Sequence, residues 1–144
     1  MSDLHDTVAQ RLRLANQRVT ANRSALVDAL ARAPKPLTIP EVLDTTSGLA
    51  QSSVYRNLVV LEEVGVVHRI VTGDEYARYE LAEDLTGHHH HHLVCTNCGS
   101  VEDVAASEHL ERSVQAAIAD IEHVTGFRAD NHRVDVLGRC ANCT

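Results

Sequence analysis

His88-His89-His90-His91-His92-Leu93-Val94-Cys95-Thr96-Asn97-Cys98 puts five consecutive histidines and a C-x-x-C pair into eleven residues. A second pair, Cys140 and Cys143, lies just before Thr144, so all four cysteines stand in C-x-x-C pairs. Four thiolates arranged this way match a tetrahedral zinc ion with no open position, a structural rather than catalytic site. Two redox-active dithiols would show the same spacing.

Working outward, the two pairs are too far apart for a compact zinc ribbon, so a folded insert has to bring them together. Val101–Val104 reads as a strand. Ser107–Val124 reads as a helix with Leu110, Val114, Ala117, Ile118 and Ile121 on one stripe, and Val134–Leu137 as a closing strand. Zinc would staple the last strand to the first, and this small unit would depend on it for folding. His90–Val94 also reads as a strand. Strand alternation then places His90 and His92 on one face and His89 and His91 on the other, so one run can feed two metal sites. A solvated polar tract is the alternative; the internal position, running straight into a C-x-x-C, argues against a purification tag. Further candidate ligands are His68, Glu80, Asp103, Glu108, Glu111 and His132, whereas His109 and His123 read as ordinary histidines. Mixed nitrogen and oxygen ligands suit Zn²⁺, Fe²⁺, Mn²⁺ or Ni²⁺ without choosing among them.

The 144 residues fit one ordinary domain or two small ones. Aromatics make up 3% and there is no Trp, so Val, Leu, Ile and Ala must build the core. No apolar run is long enough to cross a bilayer, and the start has no signal pattern, which points to the cytosol. In a reducing compartment, cysteines spaced this way favour metal over disulfides. The net charge of −7 is unevenly placed: residues 10–60 carry seven basic and three acidic side chains, residues 61–144 six and fifteen. A basic face for phosphate and an acidic half where cations collect are both available.

In the basic half, Leu4, Val8, Leu12 and Ala15 form a helical stripe, with Arg11, Arg13 and Arg18 off it. A second helix spans about 22–33, with Ala25, Leu26, Ala29 and Leu30 facing inward, and Pro34 and Pro36 stop it. Thr38-Ile39-Pro40-Glu41 opens a third helix with a capping box and Pro in its first turn. A fourth runs from Gln51 to Val64, stopped by Gly65, with Val54, Leu58 and Leu61 inward and Ser52, Ser53, Tyr55 and Arg56 crowding its first turns. Short polar groups and one Arg at a helix start suit a recognition helix; a plain helical bundle would show the same periodicity. Val66–Val71 and Tyr76–Leu81 form a predicted hairpin about Thr72-Gly73-Asp74-Glu75. A hairpin after a helix-turn-helix is a wing, which strengthens the DNA reading. Ala82–Gly87 reads as the linker.

These residues resemble the ferric uptake regulator family of metal-dependent bacterial repressors. The resemblance covers nearly the whole chain and rests on Arg18-Val19-Thr20 with Arg23, Ser53-Val54-Tyr55-Arg56-Asn57-Leu58, Tyr79-Glu80-Leu81, His88–Cys98 with Gly99, Asn131-His132 and Gly138-Arg139-Cys140. It implies an α+β protein: a winged helix-turn-helix DNA-binding domain over residues 1–83 and an α/β dimerisation domain with structural zinc over residues 84–144. It implies a homodimer that grips double-stranded operator DNA when metal is bound. Cys95, Cys98, Cys140 and Cys143 would hold structural Zn²⁺. Glu80, His90 and His92 would form a regulatory hinge site, and His89, His91, His132 and an acidic residue among Glu108 and Glu111 a further one. Pro36 stands where many iron and peroxide sensors carry a hinge histidine. His68 falls where zinc-sensing members place an acidic ligand and is expected to complete the hinge, although those members also carry a Cys near the Glu80 position. Asp103, a further candidate ligand, falls where members use Asp or Glu and peroxide sensors use Asp. The regulatory ion is then expected to be Zn²⁺ or Fe²⁺, with Mn²⁺ or Ni²⁺ open.

The expected function is a metal-responsive repressor of metal-homeostasis genes. Tyr55 and Arg56 would contact bases, with Ser52 and Ser53 beside them, and Arg11, Arg13, Arg18 and Arg23 are candidate phosphate contacts. A peroxide-sensing regulator of the same family is the alternative. A zinc hydrolase would need an open metal position and a general base, for which the sequence shows no motif. A metal-storage protein would leave the winged half without a use.

Overall fold

The computed structural model describes residues 2–72 and 76–144. Gly73, Asp74 and Glu75, at the centre of the expected hairpin turn, lie outside the described residues. The protein is α+β. Its first half holds α1 (Ser2–Leu14), α2 (Ala21–Arg32), β1 (Leu37–Thr38), α3 (Ile39–Thr45), α4 (Gln51–Glu63), β2 (Val67–Val71) and β3 (Ala77–Leu81). The second holds α5 (Glu83–Thr86), β4 (His90–Cys95), β5 (Val101–Ala105), α6 (Glu108–Thr125) and β6 (Asp135–Gly138).

The first half is a winged helix. Val8 and Leu12 of α1, Leu26, Val27 and Leu30 of α2, Val42 of α3, and Val54, Leu58 and Leu61 of α4 close on one core with Val66, Val67, Tyr79 and Leu81. A fully buried Val or Leu contributes roughly 1.5–3 kcal/mol, so this cluster is the main store of stability. The α1 stripe ends before its fourth expected member: α1 stops at Leu14, Asn16 takes φ 58°, and Ala15 is exposed. At α3 the capping box forms as read, Glu41 N–H donating to Thr38 Oγ1 and Thr38 N–H to Glu41 Oε2. Gly65 closes α4 at φ 77°, a conformation that any side chain would strain.

The wing sheet has the order β1-β3-β2. Its third strand, β1, is two residues long and escapes a sequence pattern; it forms because Leu37 and Thr38 pair with Tyr79 and Arg78. β2 and β3 pair so that His68 stands opposite Glu80. The linker is not wholly irregular, since Glu83–Thr86 make one helical turn, ended by Gly87 at φ 72°.

The second sheet has the order β5-β4-β6, with β4 antiparallel to β5 and parallel to β6. Its apolar burial is thin: among the described residues of this half, only Val94, Cys95 and Val101 are buried hydrophobics. No residue of α6 is buried, although its apolar stripe is clear; Ile121, Val124 and Phe127 are exposed, as are Val136 and Leu137 of β6.

Candidate metal centres and nucleic-acid face

β4 carries the metal chemistry because a strand sends successive side chains to opposite faces. Three groups of four donors result, in each of which the donor atoms lie within 4.8 Å of one another: Cys95 with Cys98, Cys140 and Cys143; His89 with His91, Glu111 and His132; and Glu80 with His90, His92 and Asp103.

The cysteine group forms where β4 and β6 lie side by side. Cys95 pairs in register with Gly138, and Thr96 N–H donates to the Gly138 carbonyl at 2.7 Å, so Cys140 arrives beside the first pair. Cys98 Sγ and Cys140 Sγ are 3.7 Å apart, and all four cysteines are free. A tetrahedral zinc with bonds of about 2.3 Å spaces its sulfurs by about 3.8 Å, whereas a disulfide needs about 2.05 Å. Backbone N–H groups of Cys98 and Cys140 donate to Cys95 and hold its thiol down to about 6. Asn97 pulls Cys143 down, but its thiol neighbours Cys140, Cys98 and Cys95, together with burial, push it up to about 11. Four sulfurs packed this closely can all ionise only around a shared cation. The donor set therefore fits zinc.

The second group sits on the other face of β4 from the hinge. His91 Nε2 lies 2.5 Å from Glu111 Oε1, and His89 Nε2 and His132 Nε2 lie 3.1 and 2.8 Å from Glu111 Oε2. The His89 and His132 Nε2 atoms face each other at 3.1 Å. Three imidazole nitrogens and a carboxylate aimed at one point make poor mutual partners and good ligands, since a tetrahedral ion with bonds of about 2.1 Å spaces its donors by about 3.4 Å. His91 Nδ1 is buried with no hydrogen-bond partner, an orphan that costs roughly 1–3 kcal/mol. Glu111 is held below its usual range, first by the hydrogen bond from His91 and then by the other imidazoles, against burial.

The hinge group joins the two halves. Glu80, on β3 of the wing, places Oε2 3.1 Å from His90 Nε2 and Oε1 2.9 Å from His92 Nε2. Asp103, opposite His92 in the β4–β5 register, comes within 3.4 Å of His92 Nε2 and 3.6 Å of His90 Nε2. Burial pulls the His92 imidazole down, but Glu80, Asp103 and Asp135 together hold it above its usual value. Burial pushes Glu80 up, and the hydrogen bonds and charges of His92 and His90 more than reverse this. Asp103 is raised by burial and by Glu80. Two carboxylates facing each other call for positive charge, from a proton on His92 or from a dication, so this set also fits a divalent metal.

The structure brings most of the candidate ligands together and leaves two outside. His68 is not in the hinge group: its Nε2 accepts from Arg133 Nη1 at 3.2 Å, and Asp103 occupies the fourth place. With His68 outside, the likeness it gave to the hinge of zinc-sensing members falls away. Asp103, read as a further candidate ligand, stands in the hinge group. Glu108, in the first turn of α6, lies outside the second group, and Glu111, one turn later, points into it. The sequence reading missed the groups behind the donors: Glu83, whose Oε2 accepts from His89 Nδ1 at 2.8 Å, and Asp135, 3.5 Å from His92 Nδ1. Carboxylates in these positions orient a ligand imidazole. Asp103 is placed at the hinge by the strand register, which can be counted only once the length of the turn after Cys95 is known.

On the winged half, Tyr55, Arg56 and Ser52 of α4 are exposed, Tyr55 at 55%. Arg18 is exposed as well. Arg23 is half-buried and engaged within the fold: its Nε donates to Asn57 Oδ1 at 2.9 Å and its Nη1 to the Arg18 carbonyl at 2.7 Å, which ties α2 and its preceding loop to α4. Ser53 is also part of this packing, accepting through its carbonyl from Asn57 Nδ2 at 2.9 Å. Among the described residues no helix is long and apolar enough to cross a membrane.

Known proteins resemble this chain in sequence and in fold along most of its length. The peroxide-responsive repressor PerR of Staphylococcus epidermidis is 29% identical over 145 residues, spanning 98% of this chain and 90% of that protein. The Helicobacter pylori ferric uptake regulator Fur has a similar structure, with a TM-score of 0.79 at 20% identity over 99% of this chain and 92% of the other. The Vibrio cholerae ferric uptake regulator gives 0.69 at 25% identity over 92% and 98%. The family model described as the ferric uptake regulator family matches residues 15–137, from the end of α1 into β6, and the chain belongs to that family of transcriptional regulators.

Proposed function

We propose that the chain is a metal-responsive transcriptional repressor, a cytoplasmic homodimer that binds double-stranded operator DNA when a divalent metal is held at the hinge. Residues 1–83 would read DNA and residues 84–144 would dimerise and bind metal. The observation that carries the proposal is Glu80: a side chain of the wing that shares a donor group with His90, His92 and Asp103 of the other half. A dication there, Zn²⁺ or Fe²⁺ with Mn²⁺ and Ni²⁺ also suited, would supply the charge that ties β3 to β4 and β5.

The chain's own residues do the rest. Glu80 holds the wing to β4, and Arg133 supports it by donating to His68 on β2. Asp135 and Glu83 orient His92 and His89. Arg23 and Asn57 fix α4 against α2, so that Tyr55 and Arg56 are presented at a set angle for base contact, with Ser52, Ser53 and Arg18 alongside. The exposed apolar face of α6 supports the dimer, because a stripe of this kind is normally covered by a partner. Any metal that binds the closed arrangement better than the open one shifts the population toward DNA binding.

A mobility shift with promoter DNA, with and without each metal, tests the proposal. A metal-dependent gain in affinity is expected; no change with any of the four metals would refute it. A zinc hydrolase would want an open coordination position, whereas each group here offers four protein donors. The relatives suggest a second reading, a peroxide-sensing regulator, since the Staphylococcus epidermidis protein is a peroxide-responsive repressor and the hinge contains Asp103. Peroxide added to the iron-loaded protein would then release DNA and add oxygen to a hinge histidine, seen by mass spectrometry. Release without such a modification, or no release, would count against it.

A further inference from the structure

α5 sends its two acidic side chains to different parts of the molecule. Glu83 Oε2 accepts from His89 Nδ1 at 2.8 Å, and its Oε1 accepts from the His90 backbone N–H at 3.3 Å. The other nitrogen of that ring, His89 Nε2, is the donor aimed at Glu111 and His132. Asp84 pairs with Arg11 of α1, and Arg11 Nη1 also donates to the Gly65 carbonyl, at 2.7 Å, where α4 ends. Ala82 N–H donates to the Val66 carbonyl at 2.9 Å, pinning the residue before α5 to the start of the wing. A continuous path therefore runs from the His89–His91–Glu111–His132 group to the end of α4, and it does not pass through Glu80.

We propose that Glu83 and Asp84 form a coupling element: Glu83 positions His89 for a metal at the second group, and Asp84 with Arg11 transmits the state of that group to the DNA-reading helix. The proposal rests on the metal-responsive reading above and extends it to a group whose four donors all lie outside the wing. A carboxylate on Nδ1 fixes the tautomer, so that the Nε2 lone pair faces the metal position, and it makes that nitrogen a stronger donor. Glu83 also grips the first backbone N–H of β4, so α5 follows any shift of the ring. An exposed ion pair alone couples weakly. Here the guanidinium is already fixed by the Gly65 carbonyl, and its side chain is only 26% exposed, so Asp84 meets an immobilised partner. Coupling of this kind is reciprocal: metal that favours the DNA-ready position is itself held tighter on DNA.

The test has two arms, both on the full chain with zinc already at its cysteines. In the first, a Glu80→Ala background silences the hinge, and zinc is titrated against a chromophoric chelator without DNA. Glu83→Ala is expected to weaken binding about 10- to 100-fold, with partial recovery in Glu83→Gln, whose amide oxygen still accepts from Nδ1–H. Affinity in Glu83→Ala within about twofold of the parent would overturn the positioning role, being well short of that range. In the second arm, Asp84→Asn in the otherwise natural chain is expected to bind zinc as before while its zinc-induced gain in DNA affinity falls about fivefold. Asp84 is 62% exposed, so this variant folds; an undiminished gain would overturn the transmission role. Where zinc gives the natural chain no gain, the Asp84 arm is read with whichever of the other three metals does; no gain with any of the four would overturn the repressor reading and the Asp84 arm together, while the Glu83 arm is still decided by zinc affinity alone.

Discussion

Glu80 belongs to the wing by sequence and to the histidine strand by its contacts. In the metal-free protein its partners are His90 and His92, and the two shifts have opposite consequences for stability. His92 is raised above 6.5, so its contribution is full below that value and is lost as pH climbs through the raised one. Glu80 is lowered beneath 4.5, so its contribution is present above 4.5 and is lost as pH falls through the depressed value. The metal-free hinge is therefore best paired between 4.5 and 6.5. Metal asks for the opposite protonation, a neutral imidazole. The rise in melting temperature that a hinge metal gives should be small near pH ~5.5 and larger near pH ~8, and melts of zinc-at-cysteine protein with and without added metal would show it. At Cys95 the expectation is simpler. Cys95→Ser should release the structural zinc and unfold residues beyond β3 while α1–α4 keep their helicity, as read by elemental analysis, circular dichroism and proteolysis. Retained zinc would speak against the assignment.

At the scale of elements, α3 shows what local sequence decides. Thr38 caps it and Glu41 closes the box, so Thr38→Ala should destabilise the winged half by about 1 kcal/mol in a denaturant titration. The helices, the histidine strand and the alternation of its two faces are legible for the same reason: each depends on neighbours within a turn or a pleat. β1 is not, because two residues after Pro36 become a strand only through pairing with Tyr79 and Arg78. Asp103 in the hinge is not, because its place follows from standing opposite His92 across a turn whose length must be known first. The exclusion of His68 is not, because Arg133, 65 residues away, takes its ring. The choice of Glu111 over Glu108 depends on where α6 starts, which Ser107 fixes by accepting from the Leu110 N–H. α6 itself was read correctly as a helix, but its stripe faces outward in the single chain. Ile121→Asp, at a position 52% exposed, should then leave the fold intact and shift sedimentation from dimer to monomer; an unchanged dimer would place the interface elsewhere.

Over the whole molecule, stability and chemistry are divided. The winged half holds the apolar core and, over residues 10–60, an excess of basic side chains, whereas the other half holds few buried apolar residues, an acidic balance and all the cysteines. A half so poor in apolar burial would gain rigidity from a bound metal and from a covered α6 face, which under the proposed function would make it a suitable place to sense metal. The junction is where that rigidity would reach the DNA-reading helix. The most direct measurement is DNA affinity with and without metal for the natural chain and for Glu80→Ala, with retention of the cysteine zinc as the control for folding. Expected is a gain of about 5- to 150-fold in the natural chain that largely disappears in Glu80→Ala. An equal gain in both would mean that the ion across the wing does not control DNA binding.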